Sequence, residues 1–262
     1  MLTVPLFASL DRTVNLLEDP SFEDFTIRLN AERSLSDKRE DIFSMNENGL
    51  LHVTGKGWGY LRTNSIFRDY HLVLEYKWGE QKLGYGADRS RASGLFFHAY
   101  GTDIEYDNTW PTSILVKLHE RDKKVNALHT GDFMAIAHSD SDGNKAPTRF
   151  TATVRTRPEG GTFWTPEGQK KSFPNEKRAM GRSSSLRGDN YAEKPLGEWN
   201  RIEVICRGDS MRVILNGTLI NECSNTIPSE GFVALQTNCA ELWVRKWELR
   251  PLDPVEGEKS VK

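Results

Sequence analysis

The sequence predicts an all-β fold, a jelly-roll sandwich of two antiparallel sheets carrying a long loop insertion, and three observations predict it. Apolar and polar residues alternate with period two in short runs along most of the chain. Turn residues separate those runs at short intervals, as sandwiches and jelly rolls require. Helical periodicity does not persist anywhere: Thr13–Leu17 and Pro20–Phe25 could each start a short helix, and neither continues.

Taken in chain order, short strands fit around Leu50–Thr54 and Gly59–Thr63. His71–Trp78 puts Leu72, Leu74, Tyr76 and Trp78 on one face and His71, Val73, Glu75 and Lys77 on the other. Gly94–Tyr100 separates Leu95, Phe97 and Ala99 from Phe96, His98 and Tyr100. Ser113–Glu120 separates Ile114, Val116 and Leu118 from Leu115, Lys117 and His119. Phe133–Ala137 and Phe150–Val154 follow, and Arg201–Cys206 alternates again. Met211–Leu215 and Thr218–Asn221 flank Asn216-Gly217, a pair that tolerates positive φ at both turn positions and predicts a type I′ hairpin. Phe232–Gln236 and a strand from Glu241 to about Leu249 complete the set.

The composition narrows the function classes. Among 262 residues, 35 are basic and 37 acidic, a net charge of -2. No cationic excess is available to neutralise a phosphate backbone, so nucleic acid is not the expected partner. No stretch approaches the roughly 20 apolar residues of a membrane helix. Cys206, Cys223 and Cys239 show no metal-type C-x-x-C spacing and are expected mostly as buried thiols, with one bridge among them the alternative. Met1–Leu10 lacks a basic leader region and does not read as a signal peptide. A single domain over residues 1–262 is expected, with its core at about 14–252, an elaborate insertion at 155–195 and a tail at 253–262. The 10% aromatic content is high. On the concave face of such a sandwich, flat rings stack on pyranose sugars while charged groups bond hydroxyls, so carbohydrate is the expected ligand.

Several residues carry that expectation, each beside a structural alternative. His98 falls on the mixed face with Phe96 and Tyr100, as a base or as a hydrogen-bonded histidine between aromatics. Lys117 shares a face with His119, where a cation stabilises an enolate or a carboxylate, or else snorkels from an open sheet. Glu75 and Lys77 read either as sugar ligands or as members of cross-strand ion pairs. Asp132 follows a glycine at a strand start, where a turn role competes, and Glu241 is similar. Trp243, Arg245 and Trp247 form one alternating stripe, expected to pack in the core at both Trp positions. Trp110 and, from the insertion, Phe163, Trp164 and Tyr191 are placed at a sugar cleft. No cofactor is expected. Asp140–Asn144 resembles the start of a calcium loop, but Lys145 stands where the sharp turn needs Gly, and Thr151 stands where Glu would close the site.

An ordered set of segments resembles the 3-keto-disaccharide hydrolase domain family, whose members are bacterial concanavalin A-like jelly rolls. The set comprises Gly59–Thr63, Phe67–Trp78, Arg91–His98, Gly131–Phe133, Gly197–Asn200, Val213–Gly217, Leu235-Gln236 and Arg245–Leu252. The resemblance implies a carbohydrate-active domain, secreted or periplasmic by family habit with the cytoplasm as the alternative, and in some members cleavage of glycosides oxidised at C3. A C3 ketone acidifies the C2 hydrogen, so a base removes it and the group at C1 leaves by elimination; water then adds back. The resemblance also implies that Arg62 and Arg91 clamp sugar hydroxyls, Arg91 serving alternatively to anchor Gly79–Ser93. Family members often read Ser-Ile-Glu-Val-Gln-Leu after the Trp-Pro turn, whereas Ser113–Leu118 places Leu115 at the Glu and Lys117 at the Gln, leaving Glu120 as the retained acid. Thr237–Glu241 likewise keeps only Ala240 and Glu241 of a family segment.

Two readings follow. In the first the chain is a glycosidic-bond hydrolase or lyase whose chemistry is carried by His98, Lys117, His119 and Glu120. Its substrate would be bound by Arg62, Glu75, Arg91, Phe96, Tyr100, Trp110, Asp132, Trp164 and Glu241. The alternative is a non-catalytic lectin-like domain that lost the family's acid at Leu115.

Overall fold

The computed structural model describes residues 10–101, 109–120, 130–136, 149–152, 162–164, 170–172 and 192–252. The strands in chain order begin with β1 (Val14–Asn15), β2 (Phe25–Leu29), β3 (Phe43–Met45), β4 (Leu51–Val53), β5 (Trp58–Thr63) and β6 (Tyr70–Lys82). They continue with β7 (Ala92–Tyr100), β8 (Thr112–His119), β9 (Phe133–Ile136), β10 (Arg149–Ala152), β11 (Thr162–Trp164) and β12 (Lys170–Ser172). The last five are β13 (Asn200–Arg207), β14 (Ser210–Leu215), β15 (Thr218–Ile227), β16 (Phe232–Asn238) and β17 (Ala240–Arg250). Only two 3-10 turns, Arg39–Asp41 and Gly84–Gly86, interrupt the strands among the described residues.

A nine-stranded sheet runs β10-β15-β14-β13-β6-β17-β4-β3 with β1 beside β17, and a six-stranded sheet runs β2-β5-β16-β7-β8-β9. Both are antiparallel, and this is a jelly-roll sandwich. The core is the inward set from each strand: Leu72, Leu74, Tyr76, Val204, Val213 and Leu242 from the larger sheet meet Leu61, Leu95, Phe97, Ile114, Val116 and Leu235 from the smaller. Each fully buried aliphatic or aromatic side chain removed from water contributes about 1.5–3 kcal/mol before entropy is charged against it. The Asn216-Gly217 turn has φ of 49° and 81°, and joins β14 to β15 through the Leu215–Thr218 pair as expected. Cys206, Cys223 and Cys239 are all free and buried.

Two irregularities overturn the simple alternation. A bulge between Val244 and Lys246 on β17 shifts the register, so Trp243 lies half-buried on the outer face while Trp247 is fully buried in the core. The expectation that both Trp belong to the core is therefore corrected for Trp243. As expected, no helix develops at Thr13–Leu17 or Pro20–Phe25: Val14–Asn15 is a short strand, and Phe25 opens β2. Both β2 and β3 fall outside the strands that alternation marks.

Candidate functional site

Cross-strand registers assemble the outer face of the six-stranded sheet into rows. In one row, Arg28 on β2 opposes Tyr60, which opposes Gln236 on β16. Gly94 follows on β7 and opposes Lys117 on β8, and Asp132 stands beyond, its carbonyl accepting the Lys117 backbone N–H at 2.9 Å. The next row runs Thr26, Arg62, Ala234, Phe96, Leu115 and Met134. On the other side, Trp58 opposes Asn238, and Ala92 opposes His119. A second hydrophobic cluster seals this face, with Tyr60, Phe96, Ala99, Trp110, Leu115, Ile136 and Ala234 buried together. The Trp110 ring lies 5.6 Å from both Phe96 and Trp58 and 6.4 Å from Tyr60.

Gly94 has a packing reason. A Cβ there would stand 2.5 Å from Leu115 Cδ1, 3.0 Å from the Val116 carbonyl oxygen and 3.3 Å from Gln236 Oε1. Leu115 and Gln236 thus lean into the space above the glycine, and Lys117 adjoins this largely apolar floor. Among the described residues, three polar atoms on the same face are buried without a hydrogen-bond partner: Trp58 Nε1, Gln236 Oε1 and Asn238 Oδ1. Orphaned buried groups cost about 1–3 kcal/mol each, and folds rarely retain them in one place without a use.

Lys117 is 9% exposed. Burial lowers its ammonium to about 8, against the opposing pull of the Asp132 carboxylate. His119 is also shifted down, first by burial and further by the Lys117 charge. Its Nδ1 lies 2.9 Å from the Glu120 carbonyl oxygen, which can only accept, so Nδ1 carries the proton and Nε2 keeps a lone pair. Thr130 fixes the end of this strand by accepting the His119 N–H at 2.9 Å.

Of the residues expected in one site, the structure brings together Arg62, Phe96, Trp110, Lys117, His119 and Asp132. His98 is corrected: it takes φ of 54° at a bulge between Phe97 and Tyr100, which turns its ring inward against Tyr70 at 5.8 Å. Its Nδ1 is 3.1 Å from the Pro228 carbonyl oxygen, and burial lowers its pKa to about 4, so it is a neutral core histidine. Glu120 and Arg91 hold each other. Arg91 Nη1 donates to Glu120 Oε1 at 2.8 Å, and its Nε and Nη2 donate to the carbonyls of Gly79 and Glu80. Arg91 is thus the anchor of the β6–β7 connection rather than a clamp for sugar hydroxyls.

Glu75 and Glu241 are also corrected, because both lie on the outer face of the other sheet. Glu75 bridges Arg201 at 3.0 Å and Arg245 at 2.6 Å. Glu241 accepts the Gln81 N–H at 3.0 Å and lies 2.8 Å from His52 Nε2, while the His52 ring stacks on Trp243 at 3.8 Å. Tyr100 sits half-buried at the end of β7, opposite Thr112. The side chains of Phe163 and Trp164, along with Tyr191 and the Asp140–Asn144 loop, lie outside what the structure describes.

One acid gives no signal in the sequence. Glu193 accepts from Tyr76 Oη at 2.8 Å and Trp78 Nε1 at 3.1 Å. Burial raises its carboxyl to about 7 despite the donors Tyr76, Trp78 and Thr130, and the Glu120 charge adds to the rise. Nothing around Ala192–Pro195 marks it, since its partners lie on β6, far away in the chain.

Comparison with known proteins bears on the fold and the family. A Bacillus subtilis protein of unknown function with a galectin-like fold superposes with a TM-score of 0.53 at 11% identity, over 93% of this chain and 96% of that one. A candidate glycosyl hydrolase of Parabacteroides distasonis is 15% identical, with a TM-score of 0.49 over 92% of this chain and 100% of that one. A Bacillus licheniformis β-glucanase is 9% identical, with a TM-score of 0.45 over 92% and 99%. No curated protein matches this sequence. The first likeness shows the sandwich fold and nothing further. The family model for the 3-keto-alpha-glucoside-1,2-lyase-like domain matches residues 13–250. With nearly the whole sandwich inside that match, the chain belongs to the 3-keto-alpha-glucoside-1,2-lyase-like domain family.

Proposed function

We propose that this protein cleaves the glycosidic bond of sugars carrying a ketone at C3, by removal of the C2 proton, loss of the C1 substituent and addition of water. The observation that supports this most is the pairing of Lys117 with His119 on one outer face, beside Asp132 and among Trp58, Phe96 and Trp110. His119 Nε2 is the base for C2, since its tautomer leaves that atom with a lone pair. The Lys117 ammonium is the electrophile for the C3 oxygen, where negative charge develops as the enolate forms. Trp58, half-buried on this face, supplies the stacking surface, and Trp58 Nε1, Gln236 Oε1 and Asn238 Oδ1, unpartnered among the described residues, supply a donor and two acceptors for sugar hydroxyls.

The two-carboxylate route of ordinary glycosidases finds less support. Asp132 is the acid that the described residues bring beside Lys117, and Leu115, two residues before Lys117 on β8, occupies the position where a second would stand. The test is incubation with 3-keto-trehalose and 3-keto-lactose beside trehalose and lactose. Free sugar released from the keto forms and not from their parents is the expected result. Binding of the keto sugars with no release would leave a carbohydrate-binding domain and sink the enzyme reading.

A further inference from the structure

The elimination needs only a positive charge at the C3 oxygen, and Lys117 is placed to do more than supply one. It is enclosed by strand neighbours that are chiefly apolar or uncharged: Gly94 opposite, Leu115 and His119 on its own face of β8, and Gln236 one strand further on. Among the described residues, Asp132 is the charge set beside it. An arginine would serve a purely electrostatic role without ever losing its charge, whereas a desolvated lysine readily exists as the free amine. Free amines in such surroundings are nucleophiles toward carbonyl carbon.

Resting on the function proposed above, we infer that Lys117 is a Schiff-base residue: its amine condenses with the C3 ketone of the bound sugar, and the resulting iminium is the electron sink for the elimination. The Lys117 nitrogen attacks C3, the carbonyl oxygen takes up protons, and one water leaves as the C=N bond forms. Loss of the C2 proton sends its electron pair to nitrogen and gives an enamine. The enamine then expels the aglycone oxygen from C1, which takes a proton. One water adds across the C1–C2 double bond, and a second hydrolyses the imine to return the ketone and the amine. One water is released and two are consumed, so the sum is hydrolysis of one glycosidic bond. Asp132 and His119 are the acid–base groups beside these transfers, and a burial that keeps part of Lys117 uncharged near neutral pH favours the first step. The Leu115 side chain, standing where family members often carry Glu, removes a carboxylate that would hold the lysine charged.

The test is reduction with sodium cyanoborohydride during turnover of 3-keto-trehalose by the full chain, followed by peptide mass mapping. The expected result is a stable sugar adduct on the Lys117 peptide, absent with trehalose and absent in Lys117→Met, whose folding is checked by its thermal unfolding. Free sugar released with no adduct at Lys117, or with adducts spread equally over other lysines, overturns the Schiff base and leaves the proposed function standing. Neither release nor adduct overturns both.

Discussion

Lys117→Met is expected to lose at least about 100-fold in turnover of 3-keto-glycosides while gaining stability at neutral pH. The two effects have one cause. Lys117 is buried, and the folded protein holds its ammonium at about 8 against an ordinary value of 10.5. At about 1.4 kcal/mol per pKa unit, that burial costs the fold up to about 3 kcal/mol wherever the group must be charged. The sign is fixed by which state binds the proton. Between pH 8 and 10.5 the unfolded chain keeps its proton and the folded chain has lost it, so wild-type stability rises with pH through that window and the penalty is complete below it. Met has similar length, fits beside Leu115 and carries no charge, so its unfolding midpoint in urea is higher at pH 7 and lacks that rise. A functional group retained at the expense of stability behaves in this way. A Met variant that unfolds more easily at pH 7, or that still turns over, contradicts the role given to Lys117.

Glu193→Gln is expected to become more stable than the wild type as pH rises from 4.5 to 7. The folded carboxyl titrates at about 7, above its ordinary 4.5, because burial disfavours the anion more than Tyr76, Trp78 and Thr130 favour it. In that window the unfolded chain has released the proton and the folded chain has kept it, so stability falls with rising pH, by up to about 3 kcal/mol once the window is crossed. A Gln carboxamide still accepts from Tyr76 Oη and Trp78 Nε1 and does not titrate. His98 works in the opposite direction, since its folded value of about 4 against 6.5 means stability is lost as pH falls. That contribution is common to both proteins and cancels in the difference between their urea midpoints, measured at pH 4, 6 and 8. Equal midpoints at all three pH values would show that Glu193 is not held protonated by the fold.

Much of this site is legible in the sequence because a β-strand has only two faces. Alternation along Ser113–Glu120 by itself puts Lys117 and His119 together, and alternation along Gly94–Tyr100 puts Phe96 on the same kind of face. The Asn216-Gly217 hairpin is legible because two consecutive positive φ values need that kind of residue pair. Alternation misleads where the period breaks. Counting in twos misplaces His98 and Trp243, because bulges at Phe97/Tyr100 and at Val244/Lys246 shift the count. Glu75 and Glu241 do lie on an outer face, but on the other sheet, since alternation does not say which side of the sandwich a strand joins. Glu193 is invisible because its hydrogen bonds are all long-range. In the sequence Glu120 reads as a catalytic acid and Arg91 as a sugar clamp or as the anchor of Gly79–Ser93, and the bonds from Arg91 to the carbonyls of Gly79 and Glu80 show the anchor.

In the proposed function the sugar lies against the outer face of the six-stranded sheet, across the row from Tyr60 through Gln236 and Gly94 to Lys117. A crystal structure of the Lys117→Met protein with 3-keto-trehalose bound tests it most directly. The expected result is the sugar against Trp58, with the Trp58 indole N–H, the Gln236 carboxamide oxygen and the Asn238 carboxamide oxygen bonded to it and position 117 facing C3. A sugar bound instead on the nine-stranded sheet, beside His52, Trp243 and Glu241, would contradict it.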